Sequence, residues 1–248
     1  MAYQYTTPDA LKQRILAAAQ DIFHCLALEN NNGILFGGAA AVLQGQRRIT
    51  RDLDINVDGF PPFEITLPSG NTITSRSSRP DSDMRKLIHT TPNDGSISCD
   101  MSTRKLNLFG VYKGHIVEIE EAGTTKVICA DLHLLLADKI ATIENRWALQ
   151  KKENDCEDII FCIESIVELG MKANKEVRMP QDLKTLYTLR QWETACQCLQ
   201  DYCSKTGSDF GGHLICENEF RRTVQWTVYG LSDGLKVHTR DNGGAGRA

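Results

Sequence analysis

Apolar side chains recur at helical spacing from Leu11 through Ile15, Ala18, Ala19, Ile22 and Phe23 to Leu26, which predicts a helix ending near Leu28. Thr7-Pro8-Asp9 opens it with a capping hydroxyl and a proline in the first turn. Asn30-Asn31-Asn32-Gly33 stops it. Ile34-Leu35-Phe36 then reads as a short strand broken by Gly37-Gly38, and Ala39 to Leu43 as a short helix closed near Gly45. From Leu53 to Val57 the period is two. Leu53, Ile55 and Val57 alternate with Asp52, Asp54 and Asn56, as in a strand with one buried face. Beyond Gly59-Phe60-Pro61-Pro62 the strand candidates are Phe63 to Leu67, Asn71 to Ser75, Ile97 to Met101, Leu106 to Tyr112 and His115 to Ile119. Ser77 to Met84 reads as a polar loop, and Lys113-Gly114 as a hairpin turn.

At Ala130 the period changes. Leu132, Leu135, Leu136, Lys139, Ile140 and Ile143 repeat at three and four, predicting a helix through Trp147. A second helix is expected over Glu157 to Leu169, ended by Gly170. A third opens at Pro180 and runs to about Cys203, and a fourth covers Leu214 to Tyr229. The last residues, 233–248, end in DNGGAGRA, have nothing to bury, and are expected to be disordered. The predicted organisation is an α/β region over 1–129, a helical domain over 130–232 and a tail. The fold class is therefore α/β in the α+β sense, a small mixed sheet followed by a helical C-terminal bundle, without internal repeats.

Composition narrows the partners. The chain of 248 residues is long enough for a core without staples. Its formal charge of −4 is spread evenly, with 13 of 28 basic and 14 of 32 acidic residues in positions 1–129. Neither half is a basic arm, so a nucleic-acid partner would need a local patch. Arg76, Arg79, Arg85 and Lys86 form one such cluster, which also reads as a solvated loop. The N-terminal stretch lacks a signal-peptide pattern, and no apolar run approaches the roughly 20 residues of a membrane span. No membrane partner is expected.

The nine cysteines include no CxxC pair, and most lie among apolar neighbours, as reduced thiols do in a cytoplasmic protein. Cys196, Cys198 and Cys203, with His213 and Cys216 following, match no common zinc spacing.

Candidate chemistry lies in LFGGAAAVLQGQRRITRDLDINVD, residues 35–58. On a strand Asp52 and Asp54 share one face. Two adjacent carboxylates repel unless a cation lies between them. A hard ion such as Mg²⁺ takes one or two carboxylates together with substrate phosphates. The glycine pair ahead of a short helix offers free backbone N–H groups to a phosphate. Together these features point to metal-dependent phosphoryl or nucleotidyl chemistry. Taken alone, the two aspartates could equally be a strand edge facing water.

Gly37-Gly38-Ala39-Ala40 followed by Arg48-Ile49-Thr50-Arg51-Asp52-Leu53-Asp54 resembles the nucleotidyltransferase superfamily of the DNA polymerase β type. Within it the pattern is most similar to the AbiEii-like nucleotidyltransferases, known from bacterial toxin–antitoxin systems. Lys139, Arg146, and Asp155 with Asp158 then follow in the order that this branch shows, so the resemblance spans roughly residues 30–170. It implies a nucleotidyltransferase core with Asp52, Asp54 and a third carboxylate, Asp100, as catalytic and metal-holding groups for Mg²⁺ or Mn²⁺. Gly37, Gly38, Arg48 and Lys139 would bind the substrate NTP, with Lys139 neutralising the triphosphate. Read from the residues alone, Lys139 is a snorkelling lysine on an amphipathic helix, and Asp155 and Asp158 cap the helix near Glu157. Thr50 is expected to fix the turn before the strand by a local hydrogen bond, and Arg47 and Arg51 to be surface residues. Many superfamily members have serine after the second glycine; this chain has Ala39, leaving the phosphate to backbone amides.

The expected activity is transfer of NMP from an NTP to an acceptor, and the resemblance leaves that acceptor open among a tRNA 3′ end, a protein hydroxyl and a small molecule. Two other readings stand beside it. One is aminoacyl transfer from charged tRNA on the same scaffold, in the manner of cyclodipeptide synthases, for which no motif is present. The other is a non-catalytic binding protein of this fold.

Overall fold

The computed structural model describes residues 8–61, 64–76, 82–92, 95–105, 108–120, 124–173 and 179–207. The chain divides into two compact units between Leu135 and Leu136.

The first unit is built on a mixed sheet. Its strands are β1 Gly33–Phe36, β2 Asp52–Val57, β3 Glu64–Thr66 and β4 Thr72–Arg76, then β5 Met84–Thr91, β6 Gly95–Ser102, β7 Ile116–Ile119 and β8 Val127–Ala130. They lie in the order β3-β4-β5-β6-β2-β1-β8-β7. The β2–β6 and β1–β8 pairs are parallel and the others antiparallel. The expected mixed sheet is present and larger than the sequence suggested. Helix α1, Pro8–Leu28, precedes it, α2, Gly37–Leu43, follows β1 directly, and α3, Phe109–Tyr112, is one turn before β7.

Alternation along the strands gives the sheet two unlike faces. Leu53, Ile55 and Val57 of β2, Leu87 of β5, and Cys99 and Met101 of β6 are buried together, each apolar side chain contributing on the order of 1.5–3 kcal/mol. Helix α1 covers this face: a Cβ on Gly33 would stand 2.7 Å from Leu26 Cδ1 and 3.3 Å from Ile55 Cγ2. A polar clasp ties the same helix to the sheet. Buried His89 of β5 meets Asp21 Oδ2 of α1 through Nε2 at 2.7 Å, and Asn71 Nδ2 donates to that oxygen at 2.7 Å. Burial raises the Asp21 pKa, but the bonds from His89 and Asn71 and the charges of His89 and His24 outweigh it, leaving it lowered.

The opposite face is polar. Asp52, Asp54 and Asn56 point there, joined by Lys86 on β5 and Ser98, Asp100 and Ser102 on β6, all exposed or half-buried. At β1 the same face closes, because Phe36, opposite Asp54, is buried against Tyr112 of α3 with ring centroids 5.2 Å apart.

Several expectations are corrected here. Strand β5 was not anticipated, and it converts Arg85 and Lys86 from loop residues into strand residues. Residues 77–81 of the expected loop, with Arg79, lie outside the described residues, as does Phe63. The described part of Leu106 to Tyr112 is not extended: Phe109 and Tyr112, three apart, are buried on one side of a helical turn. Lys113-Gly114 therefore leads from that turn into β7 and closes no hairpin. Strand β8 also went unread, because Val127-Ile128-Cys129-Ala130 runs straight into the apolar start of the next helix.

The second unit is helical. Helix α4, Leu132–Ile143, crosses the division, and α5, Leu149–Ala173, and α6, Leu189–Thr206, follow. Helix α4 stops short of Trp147, which is fully exposed. Helix α5 begins two turns before Glu157. After Pro180 comes a short 3₁₀ turn, Leu183–Leu186, and α6 starts only at a capping box. There Gln191 N donates to Thr188 Oγ1 at 3.2 Å and Thr188 N donates to Gln191 Oε1 at 2.8 Å. Tyr202 Oη donates to Glu157 Oε1 at 3.0 Å, joining α6 to α5. The predicted helix Leu214 to Tyr229, the tail, His213 and Cys216 lie outside the described residues.

Candidate active site

Strand register brings the three predicted aspartates to one place. Asp52 and Asp54 share the open face of β2, roughly 7 Å apart along the strand. In the parallel β2–β6 pair, Asp54 stands opposite Asp100, one strand spacing of about 4.8 Å away. Asp52 and Asp54 are exposed and Asp100 is half-buried. Their combined field reaches Cys99, whose thiol is pushed well above its ordinary value of 9.0, first by burial and then by Asp54, Asp100 and Asp52.

The glycine turn adjoins these carboxylates. Phe36 is opposite Asp54, so the chain reaches Gly37 beside that side chain. Gly37 has φ +66°, a left-handed conformation that disfavours any side chain, and a Cβ there would collide with Asp54 Oδ2. Helix α2 begins at this point with no side-chain hydrogen bond from its N-cap, Phe36, and the first N–H groups of a helix have no partner within it. A Cβ on Gly38 would meet the Arg48 guanidinium, so Arg48 lies directly over the turn. Both glycines are needed for close approach, one by the carboxylate and one by the cation.

Thr50 is buried and donates from Oγ1 to Asp52 Oδ1 at 2.8 Å. The expected local bond is present, and it orients the carboxylate itself. Arg47 and Arg51 are exposed, as expected. Two cations adjoin this site: Lys86 belongs to the basic cluster read from the sequence, and Lys105 was not anticipated. Lys86, exposed on β5, pairs with Asp100 Oδ1 at 3.5 Å. Lys105 Nζ lies 5.5 Å above the Phe36 ring, next to the glycine turn. Lys105 carried no signal, since only the fold brings it from the end of β6 to β1.

Lys139 is placed differently from either expectation. It belongs to the second unit, buried on α4, and its ammonium meets Asp155 Oδ1 at 2.5 Å and Asp158 Oδ2 at 2.7 Å. Arg146 Nε reaches Asp155 Oδ2 at 2.7 Å. Burial lowers the Lys139 pKa, but Asp158 and Asp155 override it and hold it above the ordinary value. Lys139 is therefore no snorkelling lysine. Asp155 and Asp158 sit inside α5 and cap nothing; they are its buried charged residues.

Donor chemistry fits a hard cation. Asp52 and Asp54 supply the one or two carboxylates that Mg²⁺ typically takes, with the rest left to water and phosphate oxygens. Among the described residues, no three or more histidine, cysteine, aspartate or glutamate side chains are gathered closely enough to hold a metal by themselves. Cys196, Cys198 and Cys203 on α6 are free thiols and form no such group. No helix among the described residues is long and apolar enough to cross a membrane.

No protein-family model matches the chain, and no curated protein does. Among solved structures it is similar to an antigenic nucleotidyltransferase-like protein from Paracoccidioides brasiliensis, at 17% identity over 86% of this chain and 97% of that one, with a TM-score of 0.48. It is also similar to MenT4, a nucleotidyltransferase toxin from Mycobacterium tuberculosis, at 14% identity over 90% and 94% of the two chains, with a TM-score of 0.40. These similarities are loose, and the reading of the site rests on its own residues.

Proposed function

We propose that this protein is a metal-dependent nucleotidyltransferase that moves NMP from an NTP to an acceptor hydroxyl. The observation that carries the reading is the alignment of Asp52, Asp54 and Asp100 on one open face, with Asp54 against the Gly37 turn. When bound, Mg²⁺ or Mn²⁺ would supply neutralising charge to the phosphates and to the attacking oxygen. Asp52 and Asp54 would hold it, Asp52 being kept in position by Thr50.

The triphosphate would rest on the N–H groups of the Gly37-Gly38 turn, with Arg48 above it. Asp100 would take the proton of the acceptor hydroxyl. The acceptor oxygen forms a bond to the α-phosphorus, the bond from that phosphorus to the bridging oxygen breaks, and pyrophosphate leaves with the electron pair. Lys139 has no part in this reading, because its ammonium is already held by two aspartates. The eight described cysteines are all free thiols, which supports a cytoplasmic setting.

The test is label transfer. The full chain with Mg²⁺ or Mn²⁺ and each α-labelled NTP is offered total tRNA and then total protein. Label should appear with wild type and fall roughly a thousandfold with Asp54→Asn, the scale of several kcal/mol of metal-borne stabilisation. Equal labelling by the two proteins would refute the assignment.

A further inference from the structure

Asp100 differs from the other two carboxylates in what stands beside it. Asp54 of β2 is opposite it on one side and Lys86 of β5 on the other. Directly opposed residues share a face, so Asp100 lies between a carboxylate and an ammonium, in steps of about 4.8 Å. One strand further out, Arg76 of β4 is opposite Lys86. The line across the open face reads Arg76, Lys86, Asp100, Asp54.

Lys86 is kept on Asp100 by its surroundings. Its Nζ is 3.5 Å from Asp100 Oδ1, and an exposed ion pair of that kind is weak by itself. Arg76 behind it adds a push, because like charges directly opposed on neighbouring strands repel. Met84 and Ile88, two residues away along β5, share its face and are half-buried, so the apolar stem has a neighbour on either side. Asp52 and Asp54 have no such partner across the strands. Asp52 is opposite Ser98, and Asp54 is opposite Phe36 and Asp100. A divalent ion on Asp100 would come within roughly 4 Å of the Lys86 ammonium, with twice the repulsion of two unit charges. On Asp52 and Asp54 it meets no cation opposite.

We infer that Asp100 is held by Lys86 and not by metal, so that the site takes up a single divalent ion, on Asp52 and Asp54. Resting on the reading of the aspartate site given above, this assignment departs from the ligand set that the resemblance implies, in which all three carboxylates hold metal. Lys86 is then a positioning residue. It fixes Asp100 through Oδ1 and leaves Oδ2 to take the proton of the acceptor hydroxyl. Its ammonium stands where a second ion would otherwise bind.

The experiment is equilibrium dialysis of the full chain against Mn²⁺ and a non-hydrolysable NTP. The nucleotide crosses the membrane, so only ions retained with the chain are counted. Wild type should retain one ion per chain. Lys86→Met, which removes the charge and keeps the length of the side chain, should retain a second. Lys86→Arg keeps the charge and should stay at one. Adding Asp100→Asn to Lys86→Met should remove the second ion again, which a simple folding defect would not arrange. Two ions in wild type, a single ion in Lys86→Met, or a second ion in Lys86→Arg overturns the inference. So does a second ion that survives Asp100→Asn, since it would lie elsewhere. If wild type retains no ion, or Asp54→Asn as much as wild type, the reading of the site itself has failed and the inference falls with it.

Discussion

The two units each bring carboxylates and a lysine together, with opposite results. In the first, Asp52 and Asp54 face outward on β2 and Asp100 has a distant, exposed lysine beside it. In the second, Asp155 and Asp158 are buried on α5 and saturated by Lys139 and Arg146. An exposed carboxylate pair stays accessible to a ligand from solvent, whereas a buried pair must be neutralised within the protein. Residue type did not separate these cases; burial did. Under the proposed function the aspartates of the sheet serve chemistry, whereas those of the helix serve architecture.

Breaking the helical cluster should give the largest loss of stability. Lys139→Met leaves Asp158 buried without its cation and should cost about 3–5 kcal/mol, measured by denaturant unfolding. The pH dependence has a definite sign. The folded pKa of Lys139 lies above its ordinary value of 10.5. Its contribution is therefore complete below that value and is lost as pH rises through the folded one. Asp54→Asn, by contrast, should leave stability nearly unchanged while abolishing transfer. Loss of both properties in either variant would erase the distinction between the clusters.

The glycine turn sharpens the contrast within the site. Gly37→Ala places a methyl group against Asp54 at a left-handed backbone position, which costs roughly 1–2 kcal/mol in conformation alone and also displaces the carboxylate. Gly38→Ala meets the end of the flexible Arg48 side chain, which can swing aside. Transfer should be nearly lost with Gly37→Ala, whereas Gly38→Ala should chiefly raise the KM for NTP. Steady-state kinetics on both variants decides this. Identical losses would mean that the turn acts only as structure. The smallest effect is expected from Thr50→Val, which removes one bond to Asp52 worth about 0.5–1.5 kcal/mol. It should slow transfer several-fold without altering the fold.

Much of this was legible where sequence spacing and structure use the same period. Alternation along β2 put Asp52 and Asp54 on one face, and Gly37-Gly38 marked the turn beside them. What went unread was hidden by partners far away in sequence. Strand β5 turns Arg85 and His89 toward the covered face and leaves Ile88 on the open one, which inverts the alternation expected of a strand. His89 is tolerated there because Asp21 of α1 meets it. Likewise Asp155, neutralised by Lys139 of α4, broke the apolar stripe of α5, so the first two turns of that helix did not register. The line from Arg76 to Asp54 depends on the register of four strands, which no local pattern encodes.

Most directly tested is the claim that Asp52 and Asp54 hold a divalent cation for an NTP. Electron paramagnetic resonance of Mn²⁺, titrated with the full chain and a non-hydrolysable NTP, reports the bound ion. Wild type should bind Mn²⁺ more tightly once the nucleotide is present, and Asp54→Asn should lose that gain while Lys105→Gln keeps the ion. Equal Mn²⁺ binding by wild type and Asp54→Asn would contradict the account.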